Sequence, residues 1–398
     1  MFPQSDFPAL SQKFKNKPPI YLDNACMSLK PQQVINKVIE YYSQYPSCHG
    51  RTTHKFGLRT TEEFDAARIK AKKFLNAKSP AEIIFTKNAT EALNLVSQSI
   101  TLEAEESVIT SGLEHNSNLL PWQELAKRTK AYHLIWECDE KGNLDLNILS
   151  DLLKRHKVKL VSLFHKSNLT GAVLPVKEIS ELVHNAGAWL VVDAAQSALS
   201  VNIDVQEMNC DFLALSSHKM LGPTGVGLLY GKLNFLERLP SFLVGGETVI
   251  DTEYHSMTKA NLPDRFEAGL QNYAGVIGMG AAIDYIEKYG REKINSYIKN
   301  ISRKAFEKLS KIDKISLIGD PEGGILTFSI RGMSSQEAAR FLDESENIMV
   351  RAGKMCVHSF FNHFKHPEML RISLAPYNNE AEINIANSAI EKIVKFFV

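Results

Sequence analysis

Ser216-Ser217-His218-Lys219-Met220-Leu221-Gly222-Pro223-Thr224-Gly225-Val226-Gly227-Leu228-Leu229-Tyr230-Gly231 is the stretch on which the reading of this chain turns. An apolar run, 212–215, leads into Ser-Ser-His-Lys, and a second, 226–230, leaves through glycines and a proline, which predicts a strand, a tight loop and another strand. Lys219 then stands at the end of a buried strand, beside His218 and hydroxyl side chains. An amine held there can lose its proton and join an aldehyde cofactor as a Schiff base. A lysine in a solvated surface loop is the competing reading of so short a motif.

The rest of the chain narrows the choice. Its 398 residues allow two or three domains, or one large domain with a smaller one attached. With 46 basic and 45 acidic residues the net charge is +1, and no long block carries a single sign. That balance speaks against nucleic acid or a membrane surface as the main partner and leaves room for a small polar or zwitterionic substrate. Pro3, Asp6 and Pro8 interrupt the N-terminus, and no run approaches the 18 or so apolar residues of a membrane span, so a soluble cytoplasmic protein is expected. Five scattered cysteines without a Cys-x-x-Cys pair indicate neither a disulfide framework nor a structural zinc site, and no metal is expected. At least one of them is a candidate reactive thiol.

Residues 1–19 read as an extended arm closed by Pro18-Pro19, followed by a short strand at 20–22. Strand-like runs at 83–86, 107–110, 160–164, 190–192, 212–215 and 226–229 alternate with helical stretches at 89–99, 118–128, 145–156 and 176–186. Such alternation predicts an α/β domain with a mostly parallel sheet between layers of helices, spanning 20–282. In these sheets the ligand lies beyond the carboxyl ends of the strands. One long helical region at 276–309 then leads to strands at 324–330, 348–350 and 370–374 and helices at 335–343 and 380–397, a smaller α+β domain spanning 283–398.

Polar residues fall at the strand ends. Asp193 closes the apolar run 190–192, where a charge is costly without a partner. The protonated ring nitrogen of pyridoxal phosphate would be such a partner, and a loop or cap aspartate is the alternative. Ala89 and Thr90 open a helix after the strand 83–86, so free N–H groups and a hydroxyl face an anion there, although a simple helix cap explains the same residues. His115 begins the next helix, placed to stack on a flat ring or to serve a purely structural role. Asn168 follows the strand 160–164 and offers its amide to a ring hydroxyl or a substrate carboxylate, or forms an ordinary turn. In the C-terminal part, Arg351-Ala352-Gly353-Lys354-Met355-Cys356-Val357-His358 puts a cysteine near positive charge, which favours the nucleophilic thiolate over a small buried apolar residue. Arg371, among the apolar residues of 370–374, needs a carboxylate, from a substrate or from a structural ion pair.

Taken in this order, the motifs resemble the class V aminotransferase superfamily of fold-type I pyridoxal phosphate enzymes, and within it the cysteine desulfurases of the sulfur-mobilisation type, the branch that also holds selenocysteine lyases. The resemblance implies a large domain with a sheet of the seven-stranded type. It implies Lys219 as the cofactor-bearing lysine, Asp193 at the pyridine nitrogen and Gln196 at the ring hydroxyl. His115 would stack on the ring, with Ala89, Thr90, Ser216 and His218 around the phosphate. Asn168 and Arg371 would hold the substrate carboxylate, and Cys356 aligns with the sulfur-accepting cysteine. Two positions depart from the family pattern: Met355 stands where a histidine often precedes that cysteine, and Leu270-Gln271-Asn272-Tyr273 replaces Thr-Pro-Asn-Thr, so that a phosphate contact usually given by a hydroxyl of the second subunit comes from Tyr273 or is lost. Arg51 resembles an arginine that reaches toward the neighbouring site, which implies a homodimer. The implied activity is conversion of L-cysteine to L-alanine with a persulfide formed on Cys356, for delivery to a sulfur-acceptor protein or a scaffold for iron–sulfur clusters or other thio-cofactors. A selenocysteine lyase, an epimerase or a transaminase on the same scaffold, and a cofactor-free binding protein, are the other readings.

Overall fold

The computed structural model describes residues 1–397. Apolar, β-branched segments form strands β1 (Ile20–Tyr21), β2 (Ile83–Thr86), β3 (Glu106–Ser111), β4 (Tyr132–Trp136), β5 (Lys157–Phe164), β6 (Trp189–Asp193), β7 (Phe212–Ser216) and β8 (Gly227–Gly231). Seven of them make one sheet in the order β2-β8-β7-β6-β5-β3-β4, parallel throughout except for β8, which is antiparallel to both its neighbours. The reason lies in the opening stretch: the link from β7 to β8 is a short turn at Ser217–Lys219 and a loop, too little chain for the crossover a parallel pair requires. Helices bury apolar residues against both faces, giving the expected layered α/β domain.

Further along, β9 (Val249–Thr252) and β10 (Met257–Lys259) form an exposed hairpin. The C-terminal module has β11 (Ile315–Ile318), β12 (Ile325–Ile330), β13 (Ile348–Met349), β14 (Arg351–Gly353) and β15 (Met369–Ser373). Its four-stranded antiparallel sheet runs β11-β12-β15-β14.

Several elements differ from the sequence reading. β4 was not expected; it is an edge strand whose Tyr132 and Ile135 are exposed, so it lacks the unbroken apolar signature of its neighbours. Helices Gln32–Gln44 and Lys55–Phe74 were not expected either. The single helical region at 276–309 is two helices, Tyr273–Tyr289 and Arg291–Leu309, parted at Gly290, whose φ of 82° suits glycine. The arm contains two short 3-10 turns and lies along the C-terminal module, with the Phe2 N–H donating to the Pro376 carbonyl at 2.9 Å. β1 pairs with β13, and the Ser373 N–H donates to the Leu22 carbonyl at 2.7 Å. Residues near the two ends of the chain therefore meet at the edge of the site.

A buried ion pair fastens the large domain. Arg68 reaches Glu267 through two parallel hydrogen bonds, each 2.8 Å, and also donates to the Ile83 carbonyl at 2.7 Å, while Glu267 accepts the Phe85 N–H at 2.6 Å. One residue thus ties helix Lys55–Phe74 to β2 and to the loop before helix Tyr273–Tyr289. Arg68→Ala leaves the Glu267 carboxylate buried and unpaired, and the expected loss is about 3–5 kcal/mol in urea unfolding. An unchanged unfolding midpoint would remove this pair from the account of stability.

Candidate active site

The carboxyl ends of β5, β6 and β7, the starts of two helices and one face of the C-terminal module enclose a cavity of about 220 Å³. Lys219 ends the turn after β7 and lines it, with Asp193, the last residue of β6, also on the wall. Burial lowers the affinity of the Lys219 amine for its proton, while the charge of Asp193 opposes that shift. Burial likewise raises Asp193, which accepts the Ala195 N–H at 2.9 Å. The turn bearing Lys219 is pinned by the His218 carbonyl, which accepts from the Ser28 N–H at 3.0 Å, the Ser28 hydroxyl at 3.1 Å and the Lys30 amine at 3.1 Å.

A helix start lies beside it. Helix Ala89–Ser99 begins at Asn88, whose side chain accepts the Glu91 N–H at 2.9 Å; the Ala89 N–H donates to Ser216 Oγ at 2.9 Å and the Thr90 hydroxyl donates to Ser117 Oγ at 2.8 Å. Ala89, Thr90, Ser117, Ser216 and His218 all line the cavity. Gly227 lets this helix start pack close against the sheet: a Cβ there would stand 2.5 Å from the Leu215 carbonyl oxygen and 2.6 Å from the Asn88 Cα. Any side chain would force the helix start away from β7.

His115 caps helix Asn116–Thr129, with Nδ1 accepting the Ser117 N–H at 3.0 Å, and its ring lines the cavity. Burial, helped by the Lys219 charge, pushes it down to about 3, so the ring is neutral. Gln196 lines the cavity too and donates from Nε2 to the Ala25 carbonyl at 2.7 Å.

On the far wall, Arg371 of β15 is buried. Nη2 donates to Asp23 Oδ1 at 3.1 Å, Nη1 donates to the Asn168 carbonyl at 3.0 Å, and Nε is buried with no partner among the described residues. Asn168 donates from its amide to the Met355 carbonyl at 2.8 Å. That bond steadies the loop of Cys356, whose own carbonyl accepts the Asn116 N–H at 2.8 Å. The Cys356 residue is exposed and lines the cavity. His358 is held by the Asn116 side chain, Nδ2 to Nδ1 2.9 Å.

Eleven residues singled out from the sequence thus meet in one cavity: Ala89, Thr90, His115, Asn168, Asp193, Gln196, Ser216, His218, Lys219, Cys356 and Arg371. Arg51 and Tyr273 do not join them within one chain. They line another cavity of about 280 Å³, where Arg51 pairs with Glu247 at 3.5 Å and Tyr273 packs edge-on against Phe64. Sequence reasoning missed Asp23, Cys26, Lys30, Glu114 and Ser117. Glu114 is fully buried and accepts from Ser111 Oγ at 2.6 Å, Asn118 Nδ2 at 2.7 Å and the Phe164 N–H at 3.1 Å; burial raises it to about 8. The polar run Asp23-Asn24 after β1 was the available signal for the first of these, but nothing local joined it to residues more than a hundred positions away.

Residues 20–385 match the model of the "Aminotransferase class-V" family. The chain belongs to the class-V aminotransferase family. It is 38% identical to a probable cysteine desulfurase of Synechocystis sp., over 99% of this chain and 95% of that protein, and 35% identical to a cysteine desulfurase of Serratia proteamaculans, over 98% and 97%. A solved cysteine desulfurase from Thermococcus onnurineus superposes with a TM-score of 0.94 at 32% identity, covering 98% of this chain and 97% of that one. For an Escherichia coli cysteine desulfurase the TM-score is 0.92 at 30% identity, covering 99% and 98%.

Pyridoxal phosphate is the cofactor of class-V aminotransferases, and the residues of this member fit it. A buried amine and a buried carboxylate line one pocket with a neutral imidazole, and the helix start at Ala89 and Thr90 would hold the phosphate.

Four histidines are held neutral by burial: His115 at about 3 and His133, His165 and His218 at about 4. The folded chain refuses protons that the unfolded chain binds near 6.5, so stability rises with pH across about 4 to 6.5 and is lost as pH falls through that window. Urea midpoints measured from about pH 7 down to about pH 4.5 should drop, and the drop should be smaller in His165→Gln. A flat profile would refute this assignment.

Proposed function

We propose that this class-V aminotransferase is a pyridoxal phosphate-dependent cysteine desulfurase, which moves the sulfur of L-cysteine onto Cys356 and releases L-alanine. The observation that carries the reading is an exposed thiol at 356 lining the same cavity as the Lys219 amine and the buried Arg371. Relatives at 35–38% identity that bear this name support it.

Arg371 uses its unpartnered Nε, beside an Nη, to take the substrate carboxylate in a bidentate grip. Asn168 and Asp23 fix the orientation of that guanidinium. Lys219, its proton loosened by burial, removes and returns the proton at the substrate Cα. His115, neutral and fixed by its cap bond, forms a flat wall and is free to accept a proton. The bound cofactor supplies the electron sink that stabilises negative charge at the substrate carbon. Cys356 Sγ attacks the substrate sulfur, the carbon–sulfur bond breaks with its electron pair left on carbon, and Cys356 retains the persulfide. An epimerase or transaminase needs no thiol at this place, and no observation favours selenocysteine over cysteine.

The persulfide at an exposed position suits transfer to a thiol of an acceptor protein or of a scaffold for iron–sulfur clusters or other thio-cofactors, in the cytoplasm. No described helix is long and apolar enough to cross a membrane. We further infer a homodimer in which Arg51 and Tyr273 serve the neighbouring site. Ile39, Tyr42, Phe56 and Leu58 are exposed apolar residues on the two helices that flank Arg51 in sequence, which supports a covered face there.

Purified holoenzyme given L-cysteine should yield alanine together with a gain of one sulfur on the peptide containing Cys356. Lys219→Ala should slow alanine formation by roughly 10²–10⁴-fold. Cys356→Ala should abolish the sulfur gain, and full-rate production of alanine and sulfide by that variant would sink the reading.

A further inference from the structure

Cys26 takes no part in the reaction above, yet it lines the same cavity as Cys356. The other three cysteines stand apart from it. Cys210 and Cys138 are pushed up to about 12 and about 11 by burial, and Cys48 is exposed outside this cavity.

Both cysteines sit on segments held in place. Cys26 lies in the turn after β1, its N–H donating to the Asp23 carbonyl at 3.1 Å, and Gln196 grips the preceding carbonyl of Ala25 at 2.7 Å. Cys356 lies in a loop turned by two left-handed residues, Met355 at φ 50° and Cys356 at φ 58°, a strained conformation kept by the Asn116 and Asn168 bonds. Arg371 bridges the two segments. Its Nη2 holds Asp23 of the Cys26 turn, and its Nη1 holds Asn168, the residue that steadies the Cys356 loop. Lys219 and Arg351 also line this cavity. Two cysteines lining one cavity, on segments joined through one guanidinium, form an arrangement that the desulfuration step does not require.

We propose that Cys26 is a resolving thiol that discharges the persulfide on Cys356, an inference that rests on the desulfurase reading. The Cys26 thiolate attacks Cys356 Sγ, the bond from Sγ to the outer sulfur breaks, and hydrosulfide leaves with that electron pair. The two cysteines are oxidised to a Cys26–Cys356 disulfide, and the sulfane sulfur is reduced to sulfide, which takes up the proton given by Cys26. No outside oxidant is needed. An external dithiol reduces the bridge and reopens the cavity. Without an acceptor or a reductant, then, the protein converts stored persulfide into free sulfide and locks itself.

The test uses holoenzyme freed of reductant, given stoichiometric L-cysteine, alkylated, and digested without reduction. The wild type should release roughly one sulfide per site and show the cross-linked peptides of Cys26 and Cys356, and the cross-link should disappear on treatment with a dithiol. Cys26→Ser should keep the extra sulfur on the Cys356 peptide and release at least about tenfold less sulfide. A wild type that retains its persulfide with no cross-link, or that carries the extra sulfur on the Cys26 peptide, overturns the proposal. Alanine is measured separately, so its absence counts against the desulfurase reading alone. In that case inorganic polysulfide loads the thiols directly, and the cross-link is sought in the wild type and not in Cys26→Ser.

Discussion

A guanidinium withdrawn from water organises this molecule. Burying such a charge costs several kcal/mol unless its donors are met, and Arg371 meets them with groups from two distant parts of the chain, Asp23 near the N-terminus and the carbonyl of Asn168 after β5. The C-terminal module, which supplies Arg371, is thereby seated on the large sheet. Asn168 in turn holds the Met355 carbonyl, so the position of the reactive cysteine loop follows from the same contacts. The remaining Nε donor, buried and unmatched, makes a carboxylate the natural ligand of this wall.

The opposite wall works by a different balance. Burial acts on Lys219 and Asp193 in opposite senses, loosening the proton of the amine and tightening that of the carboxyl, while their mutual attraction resists both shifts. Neither group has solvent enough to settle the matter alone. An aldehyde for the amine and a ring nitrogen for the carboxylate would answer both demands with one molecule, and the two residues stand at and just beyond the ends of adjacent parallel strands.

Local chemistry made much of this legible in advance. The apolar runs that became β2, β3 and β5 to β8 are buried on both sides, and such runs announce themselves without any knowledge of their partners. Asp193 and Lys219 stood out because a charge ending an apolar strand is anomalous in its own neighbourhood. β4 escaped notice because an edge strand mixes exposed and buried positions, and helix Lys55–Phe74 because its buried stripe includes Gly57, Thr60 and Arg68, which hydropathy does not count as core.

Local residue patterns suffice for the type of sheet, the place of the site at its carboxyl edge and the residues able to carry chemistry, since each depends on a periodicity or a polarity visible within a few positions. Asp23 and Cys26 come to the site, Arg51 and Tyr273 lie in another cavity of the same chain, and His115 loses its proton, through folding alone. Those facts depend on contacts between segments far apart in the chain and on how much water the packing excludes, and neither quantity is written in any single stretch of residues.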